Sequence, residues 1–389
     1  MDRIAIVAIT YNRPRSLIRL FNFLKSSFYD NDKVDLIVSI DKSDVEKEIL
    51  DIAKDFKWDQ GEKRIRTFPK RQGLRNHVLQ CGDYALEYRA IIVFEDDIIP
   101  AKNFYIYAKQ ALEFYKSDER IAGISLYSPA INEMIEKPFI PLSIDNADVY
   151  FIQSAQSWGQ CWSRTMWNSF KTWYSNNSKE LVKADDMPEA IYNWPNSSWK
   201  KYYMKYIVEN NKYFVYPYIS LTTNSSEVGE HVKKSTSRYQ VPILYGRKNY
   251  KFVTLNSGVI YDVFFENQCI AKYLNINKDE LCVDLYGSKP TNQNRRYVIT
   301  PKKLNHKVLY TYSLSLKPQE LNIILNSPGK DLYLYDLEAN INIELKGRVD
   351  VKKRLEYYSS LNRRDSLKHG LNGLINAIFD KFKKLRVKC

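Results

Sequence analysis

Three short apolar runs constrain this chain most, because each ends abruptly in polar residues that a strand buried on both faces would not carry. Residues 3–9 (RIAIVAI) run into Thr10-Tyr-Asn-Arg13, residues 34–40 (VDLIVSI) stop at Asp41, and residues 91–94 (IIVF) run into Glu95-Asp-Asp97 before Ile98, Ile99 and Pro100. Continuous apolar runs of this length read as buried strands. Between them lie segments of helical spacing: 14–26, with Leu17, Leu20, Phe21 and Leu24 on one face, a more polar stretch at 45–57, and 75–88. A further strand, RIRTF, falls at 64–68. The βαβαβαβ order predicts an α/β fold with a mostly parallel sheet, helices on both faces and right-handed crossovers. Ligands of such sheets bind beyond the carboxyl ends of the strands. All three polar terminations fall at such ends, and three adjacent carboxylates there call for a compensating positive charge.

From about residue 245 to 345 the texture changes. Short β-like runs (KFVTL, VIYDVFF, ELCVDLYG, RYVIT, KVLYTYSLSL, LNIIL, DLYLYDL) alternate with Gly, Pro and Asn. The expected organisation is a first domain over 1–240, a smaller β-rich or α+β accessory domain over 245–345, and a basic tail over 346–389. The net charge of +14 sits unevenly: residues 351–389 hold eleven Lys or Arg against three acids, or +8 of the total. That placement argues against a nucleic-acid groove spread over the protein, and no nucleic-acid partner is expected. Within the tail, Leu371, Leu374, Ile375, Ile378, Phe382 and Leu385 share one helical face, with Lys383 and Lys384 off it. Such a helix suits an anionic membrane surface, or docks on its own protein with solvated lysines. Five scattered cysteines without a CxxC pair argue against a zinc site or disulfide framework. The start of the sequence is too interrupted for a signal peptide. The expected location is the cytoplasm, peripheral on the inner face of the plasma membrane. Thirty Tyr, 17 Phe and 7 Trp favour concave surfaces lined by rings as well as core.

VAITYNRP at 7–14, VSIDKS at 38–43, QGLRNHV at 72–78, VFEDDIIP at 93–100 and SWGQCW at 157–162 stand in the order seen in GT-A-fold glycosyltransferases. The chain resembles the bacterial polysaccharide-building members and, more distantly, N-acetylglucosaminyltransferases with an EDD motif. The resemblance spans residues 4–237. It implies transfer of a sugar from a nucleotide-diphosphate donor, UDP-linked by expectation, to a glycan or lipid-linked oligosaccharide, with inversion. It implies a divalent metal, Mn²⁺ or Mg²⁺, held by carboxylate oxygen and acting as Lewis acid and template. By the same resemblance Asp97 is the metal ligand, Asp96 faces the ribose and Glu95 hydrogen-bonds nearby groups. Thr10, Tyr11 and Arg13 line the nucleotide pocket, and Asp41 receives the uracil or ribose edge. Gly73-Leu74-Arg75-Asn76 pass close to base and sugar, Arg75 balancing diphosphate charge. Trp158 and Gly159 support the transferred sugar and acceptor, while His231 completes the metal shell and favours Mn²⁺.

Plainer roles stand beside these. Glu95-Asp-Asp97 also reads as a solvated acidic turn, Asp41 as a helix cap, Arg75 as half of a surface ion pair, and Trp158, Trp162 and Trp167 as core. One departure is evident. Where relatives carry an acid just after a Trp, acting as base on the acceptor hydroxyl, this chain has Trp199-Lys200. A solvated Lys is already protonated at neutral pH. The role then passes to Asp185, Asp186, Glu189 or Glu230, with Asp186 preferred for its place in a Pro-bounded loop. A nucleotidyltransferase of the same fold would want a Gly-rich phosphate loop, and TYNRPRS has no Gly. A catalytically inactive glycan-binding scaffold is the alternative that the missing acid supports.

Overall fold

In the computed structural model, residues 1–227, 236–291, 293–339 and 351–359 are described. The first strands follow directly from the apolar runs: β1 (Ile4–Thr10) and β2 (Asp35–Ile40) are buried along their whole length. β3 (Lys63–Thr67) and β4 (Ala90–Glu95) complete a parallel set, with β1 paired to β2 on one side and to β4 on the other. Between them lie α1 (Pro14–Lys25), α2 (Glu46–Asp55) and α3 (Gly73–Gly82). Pro14 opens α1, where its missing N–H costs no bond and its fixed φ suits the first turn. Leu17, Leu20, Phe21 and Leu24 form the buried face of that helix, as their spacing predicts.

β4 does not simply stop. After a turn at Asp96-Asp97 the chain re-extends as β5 (Ile98–Pro100), which pairs with β12 (Thr222–Asn224) and not with the main sheet. Further on, α4 (Phe104–Phe114), β6 (Ile121–Ser125), the small β7 (Ile131–Asn132) and β8 (Lys137–Pro138) ladder, β9 (Val149–Ile152) and β10 (Gln160–Ser163) follow. α5 (Arg164–Asn176), α6 (Glu189–Tyr192), α7 (Trp199–Glu209), β11 (Tyr213–Pro217) and β13 (Ile260–Tyr261) complete the unit. The nine-stranded sheet runs β13-β9-β11-β6-β10-β4-β1-β2-β3. It is mostly parallel, with antiparallel pairings only where β10 and β9 are inserted. The chain leaves β1 towards β2 and β3 and returns to β4 on its other side. The β1/β4 junction is therefore the topological switch point, where an open α/β sheet offers a crevice.

The chain divides into two compact units, residues 1–269 with 288–291, and residues 270–287 with 292–389. This moves the boundary expected near residue 240. KFVTL forms no strand, and Phe252 packs against Tyr107, Phe114 and Tyr115 of the first unit. In the second unit β14 (Leu281–Val283), β15 (Tyr297–Thr300), β17 (Leu332–Asp336) and β16 (Lys307–Tyr312) form a four-stranded sheet in that order. Its helices are α8 (Ile270–Leu274), α9 (Leu321–Ile324) and α10 (Val351–Ser359). α9 corrects the strand expected at LNIIL. Asn322 turns its side chain onto the backbone of the preceding loop, accepting from Ser315 and Leu316 and donating to Leu316 and Gln319, and that local pairing favours a helical turn. The tail helix expected over 366–388 lies outside the described residues. Among the described residues no helix is long and apolar enough to cross a membrane.

Much of the aromatic content is core. Trp162 and Trp167 are fully buried with ring centroids 4.7 Å apart, and Trp162 also packs on Trp199 and Tyr203. Trp167 donates from Nε1 to Asp83 at 2.9 Å. Trp167→Ala is expected to cost about 3–5 kcal/mol of unfolding free energy, the range for removing a large buried ring. Chemical denaturation measures it, and a loss below about 1 kcal/mol would contradict this packing.

Candidate active site

The crevice at the switch point is a cavity of about 440 Å³. It is lined by Thr10, Tyr11, Arg13, Asp41, Gly73 and the three acids, and also by Glu133, Trp158, Trp194, Trp199 and Lys200. Three strand ends and the start of a helix deliver the first group, as their sequence positions predict.

Arg13 supplies the positive charge that the acids call for. It ends the loop after β1, immediately before α1, and pairs with Asp96 at 2.5 Å and Asp97 at 3.1 Å. Thr10 donates its hydroxyl to the other Asp96 oxygen at 2.7 Å. Asp96 is buried and its neighbours Glu95 and Asp97 are half-buried. Burial raises the Glu95 carboxyl to about 8, helped by the Asp97 charge and opposed by Arg13. Burial likewise raises Asp96 to about 6, with Arg13 again the main opposing influence. The reading of the motif as a freely solvated turn is therefore replaced by a partly desolvated, charge-paired cluster. Near its edge Glu227 lines the cavity and is held down to about 2, first by hydrogen bonds from Arg19.

Asp41 has a structural task. Its oxygens accept the backbone N–H groups of Lys42 at 2.8 Å, Gln72 at 2.7 Å and Gly73 at 3.0 Å, which fastens the start of α3 to the end of β2. Gly73 adopts φ +73°, left-handed backbone that favours glycine, and nothing stands within 4 Å of where a Cβ would project. The site is thus open at Gly73. Leu74 lines it as well, whereas Asn76 is exposed and bonds back to Gln72.

Arg75 departs from expectation. Its guanidinium bonds the Tyr174 hydroxyl at 2.7 Å and the Asn196 and Ser178 carbonyls at 3.0 and 2.6 Å, and it lies 4.0 Å over the Tyr202 ring. It ties α3 to the α5–α7 region and does not line the cavity. A cation that does line it, beside Arg13 and Lys200, is exposed Arg71, 4.6 Å over the Tyr11 ring and absent from the motif reading. His77 was also missed. It is buried, bonded through Nε2 to Ser39 at 2.8 Å, and pushed down to about 4 by burial, so it is neutral at pH 7.

Trp158, which also lines the cavity, is half-buried against Tyr127 and Tyr239, with centroids 4.8 and 5.0 Å away. Gly159 has φ +97°, and a Cβ there would meet the Thr222 side chain at 2.8 Å. That close approach lets Thr222 donate to the Trp158 carbonyl at 2.6 Å. Asp186, the preferred base, lies elsewhere: its oxygens are taken by Tyr192 and by Lys205 at 2.6 Å, and it lines no part of the cavity. Asp185 and Glu189 are likewise outside the cavity lining. Glu230 and His231 lie outside the described residues.

Among the described residues no three His, Cys, Asp or Glu side chains converge on a metal position. The oxygens of the EDD turn fit a hard divalent cation completed by a ligand's phosphates, since Mg²⁺ and its relatives commonly take one or two carboxylates and fill the shell from substrate and water. Asp97, half-buried at the turn, is the residue that would hold it.

No protein-family model and no curated protein matches the sequence. Solved structures do resemble the fold. A 1–349 fragment of S. aureus TarS aligns at 13% identity and TM-score 0.38, over 58% of this chain and 61% of that one. The same fragment in complex with UDP-GlcNAc gives 12% and 0.38 over 60% of each. A Pyrobaculum calidifontis mannosyltransferase, in complex with GDP-Man and Mn²⁺, gives 12% and 0.30 over 49% of this chain and 50% of that one. The chain thus spans about three-fifths of the TarS fragment's length, and its chemistry is argued from its own residues.

A carboxylate raised by burial makes the folded state bind protons more tightly. Stability is then full below the unfolded value and lost as pH rises through the folded one. For Glu95 and Asp96 that window runs from about pH 4 to about pH 8. In EDTA, wild-type stability is expected to fall across it, and Glu95→Gln to lessen the fall. Denaturant midpoints between pH 4 and 8 test this. A slope identical in the variant would contradict the environment described for Glu95.

Proposed function

We propose that the chain is a metal-dependent glycosyltransferase that moves a sugar from a nucleotide-diphosphate donor, UDP-linked in the first instance, to a glycan or lipid-linked acceptor with inversion. The observation that carries this reading is the shared cavity. At the switch point it combines a ring-and-cation pair (Tyr11 with Arg71), an open backbone approach at Gly73, a charge-paired EDD turn and an aromatic wall at Trp158. Stacking and cation contacts suit a base and its phosphates, and aromatic faces suit sugar rings. A divalent cation on Asp97 would neutralise the charge that develops as the diphosphate leaves. Asp96 is the residue offered to the ribose side. With Thr10 hydrogen-bonded to it and Arg13 paired with its charge, it is held in place before any ligand arrives.

Calorimetric titration of UDP, with and without Mn²⁺, tests the reading. Wild type is expected to bind UDP in a Mn²⁺-dependent manner, and Asp97→Ala to lose that dependence and about 10-fold or more in affinity. No binding of UDP, GDP or CDP by wild type would sink it and leave the inactive scaffold as the better account.

The location belongs to the same proposal. The basic tail is offered as the contact with an anionic membrane surface on its cytoplasmic side. Removing residues 366–389 is expected to abolish co-flotation with vesicles containing anionic lipid while leaving UDP binding intact. Equal flotation of both forms would contradict the membrane role.

A further inference from the structure

An inverting transfer needs a group that takes the proton from the acceptor hydroxyl, and of the carboxylates considered from the sequence Glu230 lies outside the described residues. The alternatives on the α6 side lie outside the cavity, and position 200 on α7 is a Lys. In the cavity, however, Lys200 Nζ is bonded to the carboxylate of Glu133, 67 residues earlier in the chain. Both side chains line the crevice and are mostly buried, at 20% exposure for Glu133 and 10% for Lys200. Lys200 holds Oε1. Oε2 accepts no hydrogen bond among the described residues.

The turn that carries Glu133 is firmly anchored. Asn132, fully buried, donates from Nδ2 to the Phe264 carbonyl at 3.1 Å and accepts from the Met134 N–H at 3.0 Å, and its own carbonyl accepts from Glu136 N–H at 2.9 Å. The position of the carboxylate is thus set by the fold, as a proton-transfer group requires. Its surroundings suit a sugar. Lys200 Nζ stands 5.3 Å from the Trp194 ring. Glu133 and Trp158, whose ring packs on Tyr127, line the same cavity.

We infer that Glu133 is the general base on the acceptor side of this site, with Lys200 as its positioning residue; the inference rests on the glycosyltransferase reading. Glu133 Oε2 takes the proton of an acceptor hydroxyl as that oxygen bonds to the anomeric carbon. The bond from that carbon to the diphosphate oxygen breaks, and the nucleoside diphosphate leaves with the electron pair. The acid missing after Trp199 is supplied from the β7–β8 turn, and the Lys in its place holds it by charge.

The test uses the full chain with Mn²⁺ and a panel of UDP-N-acetylglucosamine, UDP-glucose, UDP-galactose and GDP-mannose, scored by release of the nucleoside diphosphate with water as acceptor. Glu133→Gln is expected to lower kcat by about 100-fold or more, the usual scale for a general base, with UDP affinity unchanged. Glu133→Asp is expected to recover part of the rate. Glu136→Gln, on the same turn but paired with exposed Arg238, is expected to match wild type. If Glu133→Gln fails to fold because Lys200 is left unpaired, Glu133→Gln with Lys200→Met removes both charges together, and the same loss of kcat is expected. Activity within about threefold of wild type in either folded variant overturns the assignment while leaving the glycosyltransferase reading intact. So does an unchanged kcat with a raised KM for the donor, which would make the pair a donor-binding contact. If wild type turns over none of the four donors and binds no UDP, the glycosyltransferase reading fails and the assignment falls with it.

Discussion

The site depends on one charge arrangement, the guanidinium of Arg13 set against Asp96 and Asp97. Three adjacent carboxylates at the end of a strand buried on both faces could not remain there uncompensated, because desolvation and mutual repulsion both disfavour their charged forms. Arg13 comes from the loop that follows the neighbouring strand, so the compensation also ties that loop to the end of β4. Thr10 extends the tie by bonding the second oxygen of Asp96. Burial, helped by the Asp97 charge, raises Glu95 to about 8, and Arg13 offsets only part of that. Such a cluster has standing capacity for more positive charge. A divalent cation completed by phosphate oxygens would relieve what one guanidinium leaves.

The rest of the crevice follows from fastening loops to this corner. Asp41 pins the start of α3, leaving Gly73 open to an approaching ligand. Arg75 ties the same helix to the α5–α7 region through carbonyls and tyrosine hydroxyls. Both residues therefore act on the cavity by shaping it. Treating every charged residue of a motif as a ligand contact misassigns Arg75, since its donors are already spoken for within the protein.

The first half of the fold was legible because parallel strands buried on both faces read as continuous apolar runs, and their polar endings mark the sheet's carboxyl edge. Thr10, Arg13, Asp41, Asp96 and Asp97 could be placed in one region on that ground alone. What joins them could not. That Asp41 serves backbone N–H groups 31 and 32 residues on, or that Arg71 and not Arg75 reaches the cavity, depends on how α3 is rotated. LNIIL shows a local failure of the same kind: five residues with strand composition became a helical turn because Asn322 bonds the loop before it. Asp186 was attractive for its loop, yet Lys205 within α7 and Tyr192 claim it.

Glu133 is the instructive omission. It belongs to no motif, sits in a polar turn, and gains meaning only from Lys200, which sequence inspection could see solely as a residue of the wrong charge. A buried Lys without a partner would be costly, so a Lys flanked by Trp194 and Trp199 itself implies a carboxylate nearby. The sequence alone carries that implication. Which carboxylate answers it depends on the fold, because the two residues lie 67 positions apart and are joined only when the β7–β8 turn folds over α7. Exchanging an acid for a Lys on one element, with an acid delivered from another, relocates the proton acceptor and makes it one half of a neutral ion pair. A site can therefore keep a carboxylate in its cavity while losing the sequence position at which its base would be sought.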